Sequence, residues 1–211
     1  MNAPFSLSFP RKRESNLDPP VKPEDDRRNN FKFRIKNFKE LASTNSYLLN
    51  LPLKKTAEGL VVAADYQTQG RGKPGREWLS QPGKNLLFSL LIKPPIAPSK
   101  APLLTQVACR CVAAVLKQQG IESQFKRPND ILVAGKKICG ILVETGTSGA
   151  RLDYVVIGVG LNVNASPEDL NGQAVSMKEI SGRTFDRKTI LKEILSQFER
   201  DLAPFYASAR A

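Results

Sequence analysis

The sequence SQFKRPNDILVAGKKICGILVE, residues 123–144, places three short apolar segments in succession with turn residues between them. The strand candidates are Ser123–Lys126, Ile131–Val133 and Lys137–Glu144. Between the second and the third, Ala134-Gly135 predicts the turn of a hairpin. The next apolar run, LDYVVIGVGLNV over Leu152–Val163, predicts another buried strand. Because neighbouring strands joined by tight turns pair antiparallel, this region predicts a largely antiparallel sheet.

Strand-like and helix-like segments also alternate in the rest of the chain. Further strand candidates are Phe31–Ile35, Gly59–Asp65 and Asn85–Ile92. Helix candidates are Thr44–Leu51, capped by Ser43 or Thr44, Ala101–Gln119, which stops at Gly120, and Arg187–Tyr206. Strands outnumber helices, so we expect an α+β fold in which helices pack on a mixed, largely antiparallel sheet.

The composition is typical of one globular domain with a sizeable core, since 41% of the 211 residues are hydrophobic and 25% are charged. Residues 1–30 combine prolines, mixed charges and few apolar residues, so we expect a disordered tail before a domain over residues 31–211. This tail carries six Lys or Arg against five Asp or Glu. The net charge of +12 therefore belongs mostly to the domain and favours an anionic partner: nucleic acid, an acidic protein or a phosphorylated small molecule.

Composition also excludes several kinds of chemistry. The chain contains no histidine, which excludes Ser-His and Cys-His nucleophile schemes and His-ligated metal sites. Cys109, Cys111 and Cys139 lie in apolar stretches without a CxxC pair, which predicts buried, reduced thiols in a cytoplasmic protein. No run of about 18 or more apolar residues occurs, so no membrane span is predicted.

A glycine-rich basic loop lies between two of the predicted strands. Its sequence GRGKPGR, from Gly70 to Arg76, has three glycines and three cations in seven residues. Glycine lets backbone N–H groups approach an anion closely, and Arg and Lys add charge-assisted donors for a carboxylate or a phosphate. The loop is neither a Walker A motif nor a dinucleotide-binding fingerprint, and its composition is equally compatible with a solvated basic loop.

Two segments near the loop have both a functional and a purely structural interpretation. Trp78, the only tryptophan, could stack on a purine or a cation, or it could pack in the core. The segment KRPND, from Lys126 to Asp130, could hold Mg²⁺ or orient a lysine through its carboxylate, or it could form an ordinary turn.

Two strand segments are equally open to both interpretations. Lys137 heads an apolar strand in which Gly140 would let a ligand lie against the backbone, although a surface lysine at a strand start is common. The segment GVGLN, from Gly158 to Asn162, could mark the close approach of a ligand or of another backbone segment.

In this order, the motifs resemble those of the biotin-protein ligase family. The matching segments are STN from Ser43, ADYQTQGRGKPGREW from Ala64, GKNLLFSLL from Gly83, KRPND from Lys126, KKICGILVE from Lys136 and GVGLN from Gly158. The resemblance covers roughly residues 35–206. It is specific, because the lipoate ligases, which share the fold, lack this GRG loop and its following tryptophan. It implies the class II aminoacyl-tRNA synthetase-like fold of a biotin/lipoate ligase catalytic domain.

The resemblance implies an ATP-dependent ligase. Members of the family make biotinyl-5′-AMP from biotin and MgATP with release of pyrophosphate, and then transfer biotin to one lysine of a biotin carboxyl carrier protein, as in acetyl-CoA carboxylase. ATP and Mg²⁺ are thus the implied co-substrate and metal, and the carrier is the implied protein partner. Many relatives form homodimers, so a homodimer is one assembly that the resemblance allows, whereas sequence-specific nucleic-acid binding is not expected.

The resemblance also implies roles for individual residues. The implied catalytic residues are Arg71, Lys137 and Asp130, and Asp130 is also the implied Mg²⁺ ligand. Biotin would be bound by Ser43, Thr44, Asn45, Gln67, Gly70, Arg71, Lys137 and Gly140. ATP or the adenylate would be bound by Lys73, Arg76, Trp78, Asn129 and Asn162. The GRG loop is expected to order over the adenylate and shield it from hydrolysis.

The chain departs from the family pattern in four respects. Lys73 stands where arginine is common, which keeps the charge but loses the bidentate fork. Arg127 stands where tryptophan is common, and we expect this to alter packing beside the site. No helix-turn-helix domain is expected before the core, so repression of biotin genes is not expected. No small β-barrel domain is expected after Tyr206, which bears on closure over ATP and on the efficiency of transfer.

Three other functions remain alternatives at this level. A ligase or transferase for lipoate or octanoate is one, and a cysteine-dependent version would use Cys139 beside Lys137. A basic nucleic-acid-binding module would explain the net charge, but its usual signatures are missing. A non-catalytic relative that binds biotin or the carrier without turnover is disfavoured by the presence of Arg71, Lys137, Asn129 and Asp130.

Overall fold

The computed structural model describes residues 32–170 and 172–207, which form seven strands and four α-helices. The strands are β1 Arg34–Leu41, β2 Leu60–Gln67, β3 Leu86–Ile92, β4 Gln124–Lys126, β5 Asp130–Val133, β6 Lys136–Ser148 and β7 Arg151–Leu161. The helices are α1 Thr44–Leu49, α2 Ala101–Gln118, α3 Met177–Ser181 and α4 Arg187–Ala207, with 3-10 turns at Pro98–Lys100 and Glu168–Leu170. The predicted tail, residues 1–30, lies outside the described residues.

The strands form one mixed sheet in the order β1-β2-β3-β7-β6-β5-β4. β1 pairs parallel with β2, and the other neighbouring strands pair antiparallel. The predicted hairpin joins β5 to β6, where Ala134 and Gly135 have φ angles of 47° and 79°. Such positive values are those that a two-residue hairpin turn needs. The structure thus confirms the predicted α+β fold with a mixed, largely antiparallel sheet.

One face of the sheet holds the main hydrophobic core, under α2 and α4. In β3, Leu86, Phe88 and Leu90 point to this face because alternate residues of a strand share a side. α2 meets them with apolar residues at helical spacing, which are Leu104, Val107, Ala108, Cys111, Val112 and Val115. Each buried leucine or phenylalanine adds about 1.5–3 kcal/mol to the transfer free energy that drives folding. The main hydrophobic core, which stabilises the fold, therefore lies on this face of the sheet.

The opposite face is apolar at one end and polar at the other. Under α1, Leu48 packs with Val62, Leu91 and Val156 in a smaller core. Two residues before Leu91 on the same face of β3 is Ser89, which is buried and hydrogen-bonded to the start of α1. The alternation of side chains thus changes this face from apolar to polar at the N-terminus of α1.

Several element boundaries differ from the sequence predictions. The predicted strand Phe31–Ile35 is wrong in its bounds, because β1 runs from Arg34 to Leu41. β1 is an edge strand whose residues are mostly exposed, so apolar alternation does not mark it. β6 also extends past Glu144 to Ser148, where polar residues form the end of a half-exposed hairpin.

Two short helices also differ from the predictions. α1 ends at Leu49 rather than Leu51. α3 was not predicted, because five residues are too few to show helical periodicity. Its ends are nevertheless well defined: Ser176 Oγ accepts a hydrogen bond from Glu179 N, and Gly182 adopts a left-handed conformation.

The three cysteines are buried and free, as predicted. Burial is the main reason why the pKa of Cys109 is raised to about 12 and why that of Cys139 is raised well above its usual value. These thiols are therefore protonated at neutral pH and behave as small core side chains. Within residues 32–170 and 172–207, no helix is long and apolar enough to span a membrane.

Candidate active site

A cleft of about 520 Å³ opens on the face of the sheet that carries α1. Except for Gly70 and Asn162, all the residues assigned to the site from sequence line it. These lining residues are Ser43, Thr44, Asn45, Gln67, Arg71, Lys73, Arg76, Trp78, Asn129, Asp130, Lys137 and Gly140. They belong to segments that are distant in sequence, so the pairing of β2, β3, β7, β6 and β5 brings them together.

The N-terminus of α1 forms a buried polar end of the cleft. Ser43 caps the helix, since its Oγ accepts a hydrogen bond from Ser46 N. Thr44 N donates to Gln67 Oε1 at 2.7 Å, and Thr44 Oγ1 lies 3.0 Å from the same oxygen. Ser89 Oγ lies 2.7 Å from Thr44 Oγ1 and also donates to Asn45 Oδ1. These contacts orient the hydroxyl and amide groups before any ligand arrives.

A second network connects α1 to the GRG loop through a carboxylate that the sequence had not suggested. Glu144 Oε1 lies 2.7 Å from Arg71 Nη2, and its Oε2 accepts from Asn45 Nδ2 at 2.8 Å. Arg71 Nη1 adds a contact of 3.3 Å to Glu144 Oε2 and one of 3.4 Å to Ser46 Oγ. The loop arginine is therefore tied to the helix and to β6.

Lys137 lies at the sheet floor of the cleft between a carboxylate and an aromatic ring. Its Nζ is 2.8 Å from Asp130 Oδ1 and 5.2 Å from the centroid of the Trp78 ring. Both contacts restrict where the Lys137 ammonium points. The lysine and Asp130 are each partly exposed, so the pair remains accessible from the cleft.

Trp78 lies flat against glycines of the sheet rather than in the main core. A Cβ on Gly160 would come within 2.5 Å of Trp78 Cε2, and one on Gly140 within 2.9 Å of Trp78 Cζ3. The two glycines pair with each other across β6 and β7, so they form one smooth patch under the indole. Trp78 Nε1 is buried without a hydrogen-bond partner among the described residues. The aromatic ring thus lies in the cleft with its polar atom unsatisfied.

The GRG loop is a short backbone-bonded lobe. Trp78 N donates to Gly70 O at 2.9 Å, and Gly72 N donates to Arg76 O at 3.0 Å. Gly70 is buried at the base of this lobe, directly against the backbone of Trp78, and not in the cleft. The backbone of Trp78 comes so close to residue 70 that only a glycine fits there. The contact of Gly70 with biotin that the sequence suggested stays a prediction.

The two asparagines assigned to the nucleotide occupy different places. Asn129 lines the cleft, its Nδ2 donates to Ile141 O at 2.6 Å, and its Oδ1 is buried without a partner among the described residues. Asn162 is 2% exposed and is not among the residues that line the cleft, and its Nδ2 donates to Val175 O at 3.2 Å. Asn162 therefore links β7 to the segment before α3, and its assigned role at ATP stays a prediction.

The lining of the cleft is predominantly cationic. Arg71, Lys73, Arg76 and Lys137 supply four positive charges, against the carboxylates of Glu77 and Asp130. Such an excess suits a ligand with several negative charges. Within the described part of the chain, no group of three or more Cys, Asp or Glu side chains is placed to hold a metal ion. The role of Asp130 as a Mg²⁺ ligand therefore stays a prediction.

Arg127, which departs from the family pattern, lies outside the cleft. It lines an adjoining groove of about 460 Å³ together with Lys73, Phe125 and Pro128. Phe125 is 42% exposed there. Arg127 is therefore part of the wall beside the site and not one of the residues that line the cleft.

A solved structure confirms the fold class as that of a biotin and lipoate ligase catalytic domain. Biotin protein ligase from Aquifex aeolicus in complex with biotin and ATP aligns with a TM-score of 0.70 at 32% identity, over 82% of this chain and 72% of that one. The model of the biotin/lipoate A/B protein ligase family matches residues 38–162. The chain therefore belongs to the biotin/lipoate A/B protein ligase family.

Two proteins with similar sequences are both named as ligases of the biotin branch of this family. The bifunctional ligase/repressor BirA of Bacillus subtilis (strain 168) is 39% identical over 165 residues, which are 76% of this chain and 51% of that protein. The biotin–[acetyl-CoA-carboxylase] ligase of Mycobacterium tuberculosis is 31% identical over 166 residues, or 76% of this chain and 60% of that protein. The resemblance inferred from the motifs is thus confirmed, and the chain spans between half and two thirds of these relatives.

Proposed function

We propose that this chain joins biotin to ATP, forming biotinyl-5′-AMP and pyrophosphate, and then transfers biotin to a lysine of a biotin carboxyl carrier protein of acetyl-CoA carboxylase. The observation that carries the proposal is one cleft that combines neutral polar groups at the start of α1 with a set of cations from the GRG loop and β6. Biotin has the matching polarity, since it carries a neutral ureido ring at one end and a carboxylate at the other.

The α1 end of the cleft is suited to the ureido ring. That ring presents one carbonyl acceptor and two N–H donors, so its partner site must supply both kinds of group. Ser43, Thr44 and Gln67 supply hydroxyl and amide groups, and Thr44 already holds Gln67 Oε1 in place. A site whose buried polar groups need a partner discriminates strongly against analogues that lack one.

Arg71 and Lys137 are suited to the adenylation step. A carboxylate oxygen of biotin attacks the α-phosphorus of ATP, an oxygen–phosphorus bond forms, and the bond to pyrophosphate breaks. The step requires no proton transfer, so it needs charge stabilisation rather than a histidine base. Asp130 and Trp78 hold the Lys137 ammonium at the cleft floor, where it would neutralise charge that moves from the carboxylate to the phosphate.

Asp130 and Asn129 are the residues that would face MgATP. Mg²⁺ usually binds to one or two carboxylates together with substrate phosphates, and Asp130 is one of the two carboxylates that line the cleft. When bound, the ion would neutralise phosphate charge. The unpartnered Asn129 Oδ1 is a further acceptor at this end of the cleft. Lys73 and Arg76 supply positive charge on the opposite, loop side.

The transfer step would use the GRG loop as a shield. The free amine of a carrier lysine attacks the carbonyl carbon of the mixed anhydride, an amide bond forms, AMP leaves and the surplus amine proton is released. Because water would hydrolyse the same carbonyl, a loop that closes over the adenylate raises the yield of product. A transferase that uses a cysteine nucleophile is disfavoured, since Cys139 is fully buried and its pKa is raised.

The proposal predicts covalent labelling of the carrier. The full chain is incubated with biotin, MgATP and a purified biotin carboxyl carrier domain, and the carrier is weighed by mass spectrometry. We expect a mass increase equal to one biotinyl group that depends on ATP, and no increase when the acceptor lysine of the carrier is replaced by arginine. An unchanged carrier mass, with the same carrier labelled by a reference ligase, would contradict the transfer step.

A further inference from the structure

Glu144 is placed to organise the cleft although none of the motif-based roles includes it. It lies in β6 two residues beyond Leu142 and four beyond Gly140, so all three share the face that lines the cleft. Its carboxylate accepts from Arg71 Nη2 at 2.7 Å and from Asn45 Nδ2 at 2.8 Å. One side chain thus holds a residue of the loop and a residue of α1 together.

The way in which Glu144 binds Arg71 leaves part of the guanidinium for a ligand. Both contacts use the terminal nitrogens, Nη1 and Nη2. Among the described residues, none accepts a hydrogen bond from Arg71 Nε, and the arginine side chain is 44% exposed. A guanidinium has five N–H donors in a rigid plane, so fixing one edge also fixes the direction of the others. Glu144 therefore orients Arg71 without using all of its donors.

The same carboxylate completes the orientation of Asn45. Asn45 Oδ1 accepts from Ser89 Oγ, and its Nδ2 donates to Glu144, so the amide is fixed at both ends. Ser89 Oγ also lies 2.7 Å from Thr44 Oγ1, and the backbone N–H of Thr44 donates to Gln67 Oε1 at 2.7 Å. The hydrogen-bonded chain therefore runs without a gap from the ureido end of the cleft to the loop arginine.

We propose that Glu144 is a positioning residue that sets Arg71 to receive the biotin carboxylate and fixes its distance from the polar groups of α1. The inference rests on the proposed function and adds to it a source of selectivity for the acid. The opposite role is a carboxylate that competes with biotin for Arg71. The two roles predict opposite changes in affinity when the charge of Glu144 is removed.

Glu144→Gln distinguishes the interaction of the carboxylate with Arg71 from its interaction with Asn45. Glutamine keeps an oxygen that can accept from Asn45 Nδ2, but its Nε2 is a donor and cannot accept from Arg71 Nη2. The variant therefore loses the negative charge and the 2.7 Å contact with Arg71 Nη2, and it keeps the oxygen that accepts from Asn45 Nδ2 and lies 3.3 Å from Arg71 Nη1. Biotinamide is the matched ligand, because it has the same ring and tail as biotin but no carboxylate for Arg71 to bind.

The experiment is isothermal titration of the full chain with biotin and with biotinamide. We expect Glu144→Gln to weaken biotin binding about tenfold, the effect of losing one charge-assisted hydrogen bond, and to leave biotinamide binding within about twofold. Glu144→Ala should weaken both ligands, since it also removes the 2.8 Å hydrogen bond from Asn45 Nδ2. Biotin binding that is unchanged or tighter in Glu144→Gln would overturn the proposal.

Asp153→Asn is the control for loss of a carboxylate from the sheet. Asp153 lies in β7, pairs with Lys54 at 3.4 Å and is not among the residues that line the cleft. We expect both ligands to bind to this variant as to the unaltered chain. A selective loss of biotin binding in Asp153→Asn would mean that net charge, and not the position of Arg71, explains the effect.

Hydrogen exchange in the absence of ligand distinguishes failure of this proposal from failure of the proposed function. If Glu144 holds the loop through Arg71, the amides of residues 70–78 exchange faster in Glu144→Gln while those of the core strands do not. If the unaltered chain binds neither biotin nor biotinamide, the proposed function fails and so does the role toward biotin. Unchanged exchange in residues 70–78 would show that Glu144 does not hold the loop through Arg71, and would overturn the proposal.

Discussion

Lys137 is the residue whose chemistry the account depends on most. Asp130 holds its Nζ at 2.8 Å and the Trp78 ring lies 5.2 Å away, so the charge is positioned on the cleft floor. Its backbone is fixed as well, because Lys137 O accepts from Val175 N at 3.0 Å. A charge fixed in this way can stabilise a moving phosphate charge without reorganising during the reaction.

Replacing Lys137 by alanine should therefore remove adenylation and leave the fold intact. The loss of one preorganised charge typically lowers such rates by about a hundredfold or more. The partly exposed pair with Asp130 contributes at most about 1 kcal/mol to stability, so the melting temperature should change little. The measurement is biotin-dependent pyrophosphate release, together with a thermal melt.

Lys136→Ala is the matched control for that variant. Lys136 is the preceding residue of β6, is exposed and does not line the cleft. We expect its rate of pyrophosphate release to equal that of the unaltered chain. A Lys137→Ala variant that is as active as Lys136→Ala would disprove the assigned role.

Sequence reasoning found the residues of the site that form local motifs and missed those that act through tertiary contacts. Lys137 and Arg71 stand in short signatures that can be read without a structure. Glu144 ends an apolar strand, and nothing in its neighbours shows that Arg71, 73 positions earlier, lies 2.7 Å away. Ser89 had one usable signal, which is a polar residue in the apolar run NLLFSLL.

At the scale of an element, the start of α4 is defined by an acidic residue. Asp186 precedes the helix, and its carboxylate accepts from Thr189 Oγ1 at 2.7 Å and from the backbone N of Lys188 and Thr189. The hydrogen bond from Thr189 is the main cause that lowers the pKa of Asp186 below its usual 3.8, followed by that from Lys188 N. Arg187 then fixes the helix to β2 through Asp65 at 2.9 Å.

This cap predicts a pH-dependent contribution to stability. A carboxyl whose pKa is lower in the folded state stabilises the fold above the unfolded pKa and loses that contribution as pH falls through the folded pKa. Asp186→Ala should therefore melt at a lower temperature than the unaltered chain at pH 7, and the difference should become smaller as pH falls below the folded pKa. Asp186→Asn keeps an acceptor without the charge, so its melting temperature at pH 7 should lie between those of Asp186→Ala and the unaltered chain, and should not fall with the protonation of residue 186. Melting curves that differ equally at all pH values would contradict this role.

Elements were predictable where they contribute to a core. α2 and β3 carry apolar residues at the spacing of their structure, and both were found within one residue of their observed bounds. β1 was misplaced because its residues are mostly exposed and its parallel pairing with β2 depends on backbone hydrogen bonds. The backbone bonds of an edge strand leave no apolar pattern in the sequence.

At the scale of the whole molecule, one face of the sheet carries the main hydrophobic core and the other face carries the cleft. The face under α2 and α4 is filled with apolar side chains, whereas the other face combines the small core under α1 with the cleft. Antiparallel pairing of β6 with β7 places Gly140 opposite Gly160, and Trp78 lies on this pair. The hydrophobic pattern predicted the sheet, but the motifs alone did not show that the loop lies over it.

The most direct test of the account is release of pyrophosphate from MgATP on addition of biotin to the purified chain, with lipoate and no acid as controls. We predict release that requires biotin, saturates with it and is not produced by lipoate, because the polar groups at α1 match a ureido ring. Release with lipoate and not with biotin would contradict the assignment of the cleft, and release with neither would leave the chain without the activity proposed for it.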